Sequence, residues 1–122
     1  MNGYILDSSF LSAFFNESDV NYSKAKDIVK RMNTVLPILI PSVVFAEVSR
    51  IPFIGLRERI VYNCLSIVDI VVYLEDTLLE EYLLFSKRIT LRSTAIDSML
   101  LFFSHFYGCK LITFDKGLLR LV

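Results

Sequence analysis

Four short runs rich in apolar residues, none of them in strict alternation with polar ones, punctuate this chain: Tyr4 to Leu6, Leu36 to Ile40, Ile67 to Tyr73 and Lys110 to Thr113. A strand with one wet face alternates apolar and polar residues; an unbroken apolar run is the mark of a strand covered on both faces. Segments of helical character separate the runs. In one of them Val20, Ala25, Ile28, Val29 and Met32 approximate one helical face while Lys24, Lys26, Asp27, Lys30 and Arg31 supply the polar one. Strands alternating with helices predict an α/β fold, a short parallel central sheet between two helical layers, because parallel neighbours need crossover connections that lie over the sheet.

The remaining elements fit that scheme. Ser8 or Ser9 is placed to cap a short helix over Phe10 to Phe15, and Ser42 to begin one carrying Val43, Val44, Ala46 and Glu47. Helix is predicted again over Leu56 to Leu65, over Glu75 to Ile89 with Lys87 and Arg88 at its carboxyl end, and over Thr94 to Tyr107, closed by Gly108. At 122 residues the expectation is one domain spanning 1–122, with room for one core.

Charge and cysteine content narrow the function. Lys plus Arg and Asp plus Glu both number 13, so no overall field attracts a polyanion, and any nucleic-acid binding must rest on local groups and metal. Cys64 and Cys109 lack the spacing of a metal or redox motif and are expected as buried thiols in a reducing compartment. His105, within LLFFSHFYG, is expected to pack in the core. The longest apolar stretch, Val35 to Ala46, is interrupted by Pro37 and Pro41 and is too short to cross a bilayer, and no basic signal region opens the chain. A soluble, cytoplasmic protein is expected. A hydrophobic fraction of 54% and a mean hydropathy of +0.54 point to apolar surface covered by a partner, with Val20 to Met32 and Leu56 to Leu65 the candidate faces.

The chemistry is carried by four acids in apolar settings: Asp7 in YILDSSFL, Glu47 in PSVVFAEVSR, Asp97 in TAIDSMLLF and Asp115 in KLITFDKGL. Ionised carboxylates beside core segments need a compensating charge, and no matching set of basic residues accompanies them, so a divalent cation is the natural compensator. In parallel α/β sheets ligands bind outside the carboxyl ends of the strands, where Asp7 and Asp115 fall. Glu47 and Asp97 can reach the same mouth from their helices.

Together LDSSFL, FAEV, AIDSMLL and TFDKGL, in that order, resemble the PIN domain, and most closely the small toxin ribonucleases of the VapC type; the resemblance spans essentially the whole chain. It implies that Asp7, Glu47, Asp97 and Asp115 form an acidic pocket for Mg²⁺ or Mn²⁺, with Ser9 and Thr113 lining it. It also implies hydrolytic cleavage of single-stranded RNA by a metal-activated water, leaving a 5′-phosphate and a 3′-hydroxyl. A cognate antitoxin, offering a basic side chain to the pocket, is the implied partner, and a homodimer is expected to bury the apolar excess. The final strand of the family is expected to be very short or missing. Arg50, Arg57, Arg59, Arg92 and Lys116 are the basic residues available to RNA, sparse and dispersed, and each reads more readily as a solvated surface residue.

Competing readings fail on named residues. A haloacid-dehalogenase-type phosphatase needs a second Asp two residues after the first, where this chain has Ser9; a receiver domain needs an acidic pair at the first strand, where position 6 is Leu. The alternative from another class is a PIN fold kept as a protein-binding module with little or no catalysis. Four mutually repelling carboxylates argue against it.

Overall fold

The structure is a computed structural model that describes residues 2–88 and 95–121. Four strands, β1 (Tyr4–Leu6), β2 (Ile38–Pro41), β3 (Ile70–Val72) and β4 (Lys110–Ile112), form one sheet in the order β3-β2-β1-β4. Every pairing is parallel, with Ile5 opposite both Leu39 and Leu111. Seven helices are seen among the described residues: α1 (Ser8–Phe15), α2 (Tyr22–Arg31), α3 (Ser42–Val48), α4 (Ile54–Ile67), α5 (Leu79–Ser86), α6 (Ala95–Tyr107) and α7 (Lys116–Leu119). Helix α1 packs on α2, α3 and α4, while α6 packs on β1, β4 and α5. The result is the three-layer α/β/α sandwich that the unalternating strands predict.

The core explains those strands. Ile5 and Leu6 of β1 and Leu39 and Ile40 of β2 are almost wholly buried, between Phe10 and Leu11 of α1 and Leu100 and Phe103 of α6. Each such side chain contributes about 1.5–3 kcal/mol on burial, which is why these positions tolerate no polar alternation. Two glycines are required by geometry. A Cβ on Gly3 would lie 2.5 Å from the Pro37 carbonyl oxygen, where the chain enters β1 beside β2. Gly108 has φ of 63° and closes α6: its N–H donates to His105 O at 3.3 Å and that of Cys109 to Ser104 O at 3.0 Å, which is the Schellman arrangement.

Several expectations are corrected. The cap of α1 is Asp7 rather than Ser8 or Ser9: its Oδ1 accepts from Phe10 N at 3.0 Å. Helix α4 runs through Ile67, because Ile60 and Cys64 are buried on its inner face, and the β-rich run supplies only Ile70–Val72 as strand. Asp69 begins the pairing with β2; its carboxylate accepts from Ile38 N at 2.7 Å and its N–H donates to Ile38 O. The helix predicted over Glu75 to Ile89 opens as a 3₁₀ turn, Asp76–Leu78, before α5, and Ile89, Arg92 and Thr94 lie outside the described residues. After Asp115, where the final strand was expected to be very short or missing, the described residues form the single-turn helix α7.

His105 is not a core residue: it is exposed and stacks on Phe85 with ring centroids 5.6 Å apart. Both cysteines are buried and free, and burial pushes the Cys64 thiol up to about 11. Of the two faces expected to carry the apolar excess, α2 exposes Val29, with Val20 just before it, and α4 exposes Ile54, Tyr62 and Leu65. Leu79, Leu83 and Leu84 of α5 and Phe106 of α6 form a further exposed apolar set that helical periodicity did not single out. Among the described residues no helix is long and apolar enough to cross a membrane.

Candidate active site

The strand order places β1 between β2 and β4, so the chain moves away from β1 on one side and returns to it on the other. A crevice opens at such a reversal, at the carboxyl ends of the strands. Asp7 follows β1 directly, and Thr113, Phe114 and Asp115 follow β4.

Asp7 is almost fully buried and held by three donors. Its Oδ1 accepts from Phe10 N and, at 2.8 Å, from the Ser9 hydroxyl; its Oδ2 accepts a short hydrogen bond from the Thr113 hydroxyl. Ser9 Oγ in turn accepts from Phe114 N, and Thr113 Oγ1 from Asp115 N, both at 3.0 Å. Ser9 Oγ and Thr113 Oγ1 also lie 3.2 Å apart, within hydrogen-bond distance with either as donor, and through their shared Asp7 they tie the ends of β1 and β4 together. Burial nevertheless pushes the Asp7 carboxyl above its ordinary range, against the pull of Thr113, Phe10 and Ser9, and the charge of Asp115 adds to the rise.

Glu47 lies on α3, half-buried, and its Oε1 accepts from the Ser8 hydroxyl at 3.1 Å. Its carboxyl is also pushed up, first by burial and then by the charges of Asp7, Asp97 and Asp115; only the Ser8 hydrogen bond opposes this. The charges of the other three predicted acids thus all reach Glu47. Asp97 stands in the first turn of α6, half-buried. Asp115 is exposed and caps α7, its Oδ1 accepting from Leu118 N at 2.9 Å. Ser8 is the pocket residue that sequence reasoning passed over. Its signal was its place in the Asp-Ser-Ser triplet after β1, where it was weighed as a helix cap alone.

Among the described residues no three His, Cys, Asp or Glu side chains are drawn together tightly enough to ligate one ion directly. Mutual repulsion works against such closeness, and the Asp7 oxygens are engaged by hydroxyl and amide donors. The donor chemistry fits a hard divalent cation even so. Carboxylate and hydroxyl oxygens are what Mg²⁺ and Mn²⁺ take, and Mg²⁺ keeps several waters, so one or two direct carboxylate ligands suffice.

Comparison with known proteins agrees with this architecture. The PIN domain model matches residues 4–122, and the chain belongs to the PIN domain family. Among solved structures it is similar to VapC20 of Mycobacterium tuberculosis, described as a sarcin-ricin loop cleaving toxin: TM-score 0.78, 18% identity, covering 98% of this chain and 95% of that one. It is also similar to VapBC2 of Rickettsia felis, solved bound to a DNA fragment from its promoter: TM-score 0.69, 17% identity, covering 98% of this chain and 92% of that one. At such identities the likeness is one of fold. No curated protein matches the chain by sequence.

Proposed function

We propose that this protein is a metal-dependent endoribonuclease that cleaves single-stranded RNA, acting as the toxin of a toxin–antitoxin pair. The observation that carries the reading is geometric: at the carboxyl ends of the parallel strands Asp7 is tied to Thr113 beyond β4 and Glu47 to Ser8 beside Asp7, and the charges of Asp97 and Asp115 reach Glu47 as well. The toxin named for one structural neighbour and the promoter-bound complex of the other support the same reading.

Asp7, Glu47, Asp97 and Asp115 would hold Mg²⁺ or Mn²⁺, which when bound would lower the pKa of a water and offset charge on the leaving oxygen. The protein's own groups set the geometry. Ser9 and Thr113 fix the Asp7 carboxylate in one rotamer, and Ser8 turns Glu47 toward the same pocket. These hydroxyls spend their protons on carboxylates, and His105 stacks on Phe85 near the opposite end of α6 from Asp97. Among the described residues no Ser–His or Ser–Lys pairing is seen, and the reading takes water as the nucleophile, in line with a phosphodiester. In the cell a small antitoxin covers the pocket, with a basic side chain presented to the acids, and the exposed apolar residues of α4 and α5 are the surfaces available to it and to a second copy of the chain.

The test is cleavage of a single-stranded RNA by the purified protein. Activity is expected with Mn²⁺ or Mg²⁺, loss with EDTA, and fragments bearing 5′-phosphate and 3′-hydroxyl ends. Metal-independent cleavage to a 2′,3′-cyclic phosphate would overturn the mechanism. A protein that binds an antitoxin yet never cleaves RNA in either metal would be the inert module instead.

A further inference from the structure

The five basic residues that the sequence offers to RNA are not equivalent in the fold. Arg57 Nη1 donates to Ser49 O at 2.9 Å and Arg59 Nη1 to Phe15 O at 3.2 Å, so both guanidinium groups are tied to the backbone. Lys116 is the first residue of α7, and Arg92 lies outside the described residues.

Arg50 differs. The chain keeps turning past the end of α3, with Arg50 N donating to Glu47 O at 3.0 Å, so Arg50 falls three residues beyond Glu47 on the same face. Ala46, Glu47 and Arg50, with Ile96 of α6, line a groove of about 460 Å³. That volume lies in the ~300–1,000 Å³ range of ligand sites. Ile96 directly precedes Asp97, so the groove runs alongside the acidic pocket. Among the described residues the Arg50 guanidinium has no hydrogen-bond or ion-pair partner, and the residue is exposed. It does not serve as the counter-ion of Glu47, whose Oε1 takes the Ser8 hydroxyl instead.

A planar guanidinium with its donors unspent, beside acids that repel a polyanion, supplies what an RNA strand needs in order to approach them: a fork matched to two phosphate oxygens. We infer that Arg50 is the phosphate-positioning residue of this protein, gripping a backbone phosphate of single-stranded RNA in the groove between α3 and α6 next to the scissile bond. The inference rests on the nuclease reading above and adds to it the path of the substrate. Phosphate contacts of this kind fix register on the strand without reading its sequence.

Steady-state cleavage of a single-stranded RNA in Mn²⁺ tests it. Arg50→Gln is expected to raise KM about tenfold, the scale of a charge-assisted hydrogen bond, with kcat within about twofold of the parent. The slope of log kcat/KM against log salt should become shallower by about 0.7, the value for one phosphate contact on a single strand. Arg50→Lys should restore the slope and only part of KM. Arg57→Gln should leave the slope as it was. An Arg50→Gln protein that melts like the parent and cleaves with the parent's KM and salt slope overturns the assignment while leaving the nuclease reading intact. So does a fall in kcat alone. A parent that cleaves no RNA in either metal removes the nuclease reading, and the assignment falls with it.

Discussion

The Thr113 hydroxyl donates to Oδ2 of Asp7, joining the carboxyl end of β4 to that of β1 across 106 positions of sequence. Thr113 Oγ1 itself accepts from Asp115 N, so one side chain holds the Asp7 carboxylate and the Asp115 backbone. Thr113→Val keeps the shape of the side chain and removes both bonds. Because Thr113 pulls the Asp7 pKa down, its loss should raise that pKa further, and the acid limb of the pH–rate profile should move to higher pH. Leaving the Asp7 oxygen and the Asp115 amide unpartnered should cost about 1–3 kcal/mol of stability, read by thermal unfolding. Thr113→Ser should restore both quantities. An unmoved acid limb in the valine variant would show that Asp7 ionisation does not limit the rate.

Glu47 and Asp7 hold protons more tightly in the folded chain than in the unfolded one, since both carboxyls are raised from the ordinary 4.5 and 3.8. Over the window between those values and the raised ones, the folded state binds more protons. The stability that these two carboxyls contribute to the metal-free protein is therefore fully present below their ordinary values and is lost as pH rises through the raised ones. Glu47→Gln keeps an acceptor for Ser8 and removes one titrating charge. Its melting temperature in EDTA should match the parent at low pH and exceed it increasingly through the window. A difference largest at low pH would contradict the burial and repulsion assigned to Glu47.

Asp97→Asn removes one of the charges that push Glu47 up. In EDTA it should melt higher than the parent. In Mn²⁺ it should lose both cleavage and the stabilisation that a bound ion gives the native state, about 2.7 kcal/mol when the ion is at 100 times its Kd. If Asp97 served only as a first-turn partner of the α6 dipole, its loss would instead cost about 0.3–1 kcal/mol and leave the Mn²⁺ shift unchanged.

Gly3→Ala tests the frame that carries the site. The added Cβ meets a backbone oxygen, that of Pro37, which cannot swing aside as a flexible side chain would. Tyr4 N donates to that same oxygen at 3.0 Å, and Gly3 O accepts from Lys110 N at 2.9 Å. The entry of β1 between β2 and β4 should be strained, with a loss of about 1–3 kcal/mol in chemical denaturation. Unchanged stability would show that the β1–β2 entry is looser than these distances imply.

Much of this fold is written locally. Short apolar runs such as Tyr4–Leu6 and Leu111–Ile112 mark covered strands, and Gly108 marks the end of α6 because only a residue without a Cβ takes a positive φ there cheaply. Boundaries that depend on packing were less legible. The β-branched run from Ile67 reads as strand from its first residue, yet Ile67 belongs to α4, whose buried Ile60 and Cys64 carry the helix past the point where propensity alone would end it. His105 reads as core from its apolar neighbours, but the helical turn carries it outward.

By itself the sequence determined the α/β class and the order of elements and singled out four acids in apolar settings, because periodicity, capping and composition are properties of near neighbours. Only the tertiary structure decided that β1 lies between β2 and β4, that Ser8, Ser9 and Thr113 spend their protons on Asp7 and Glu47, and that Arg50 faces the groove while Arg57 and Arg59 are tied down. Most of those relationships join residues tens of positions apart. They exist only once burial of the apolar strands has closed the sheet and brought their ends together.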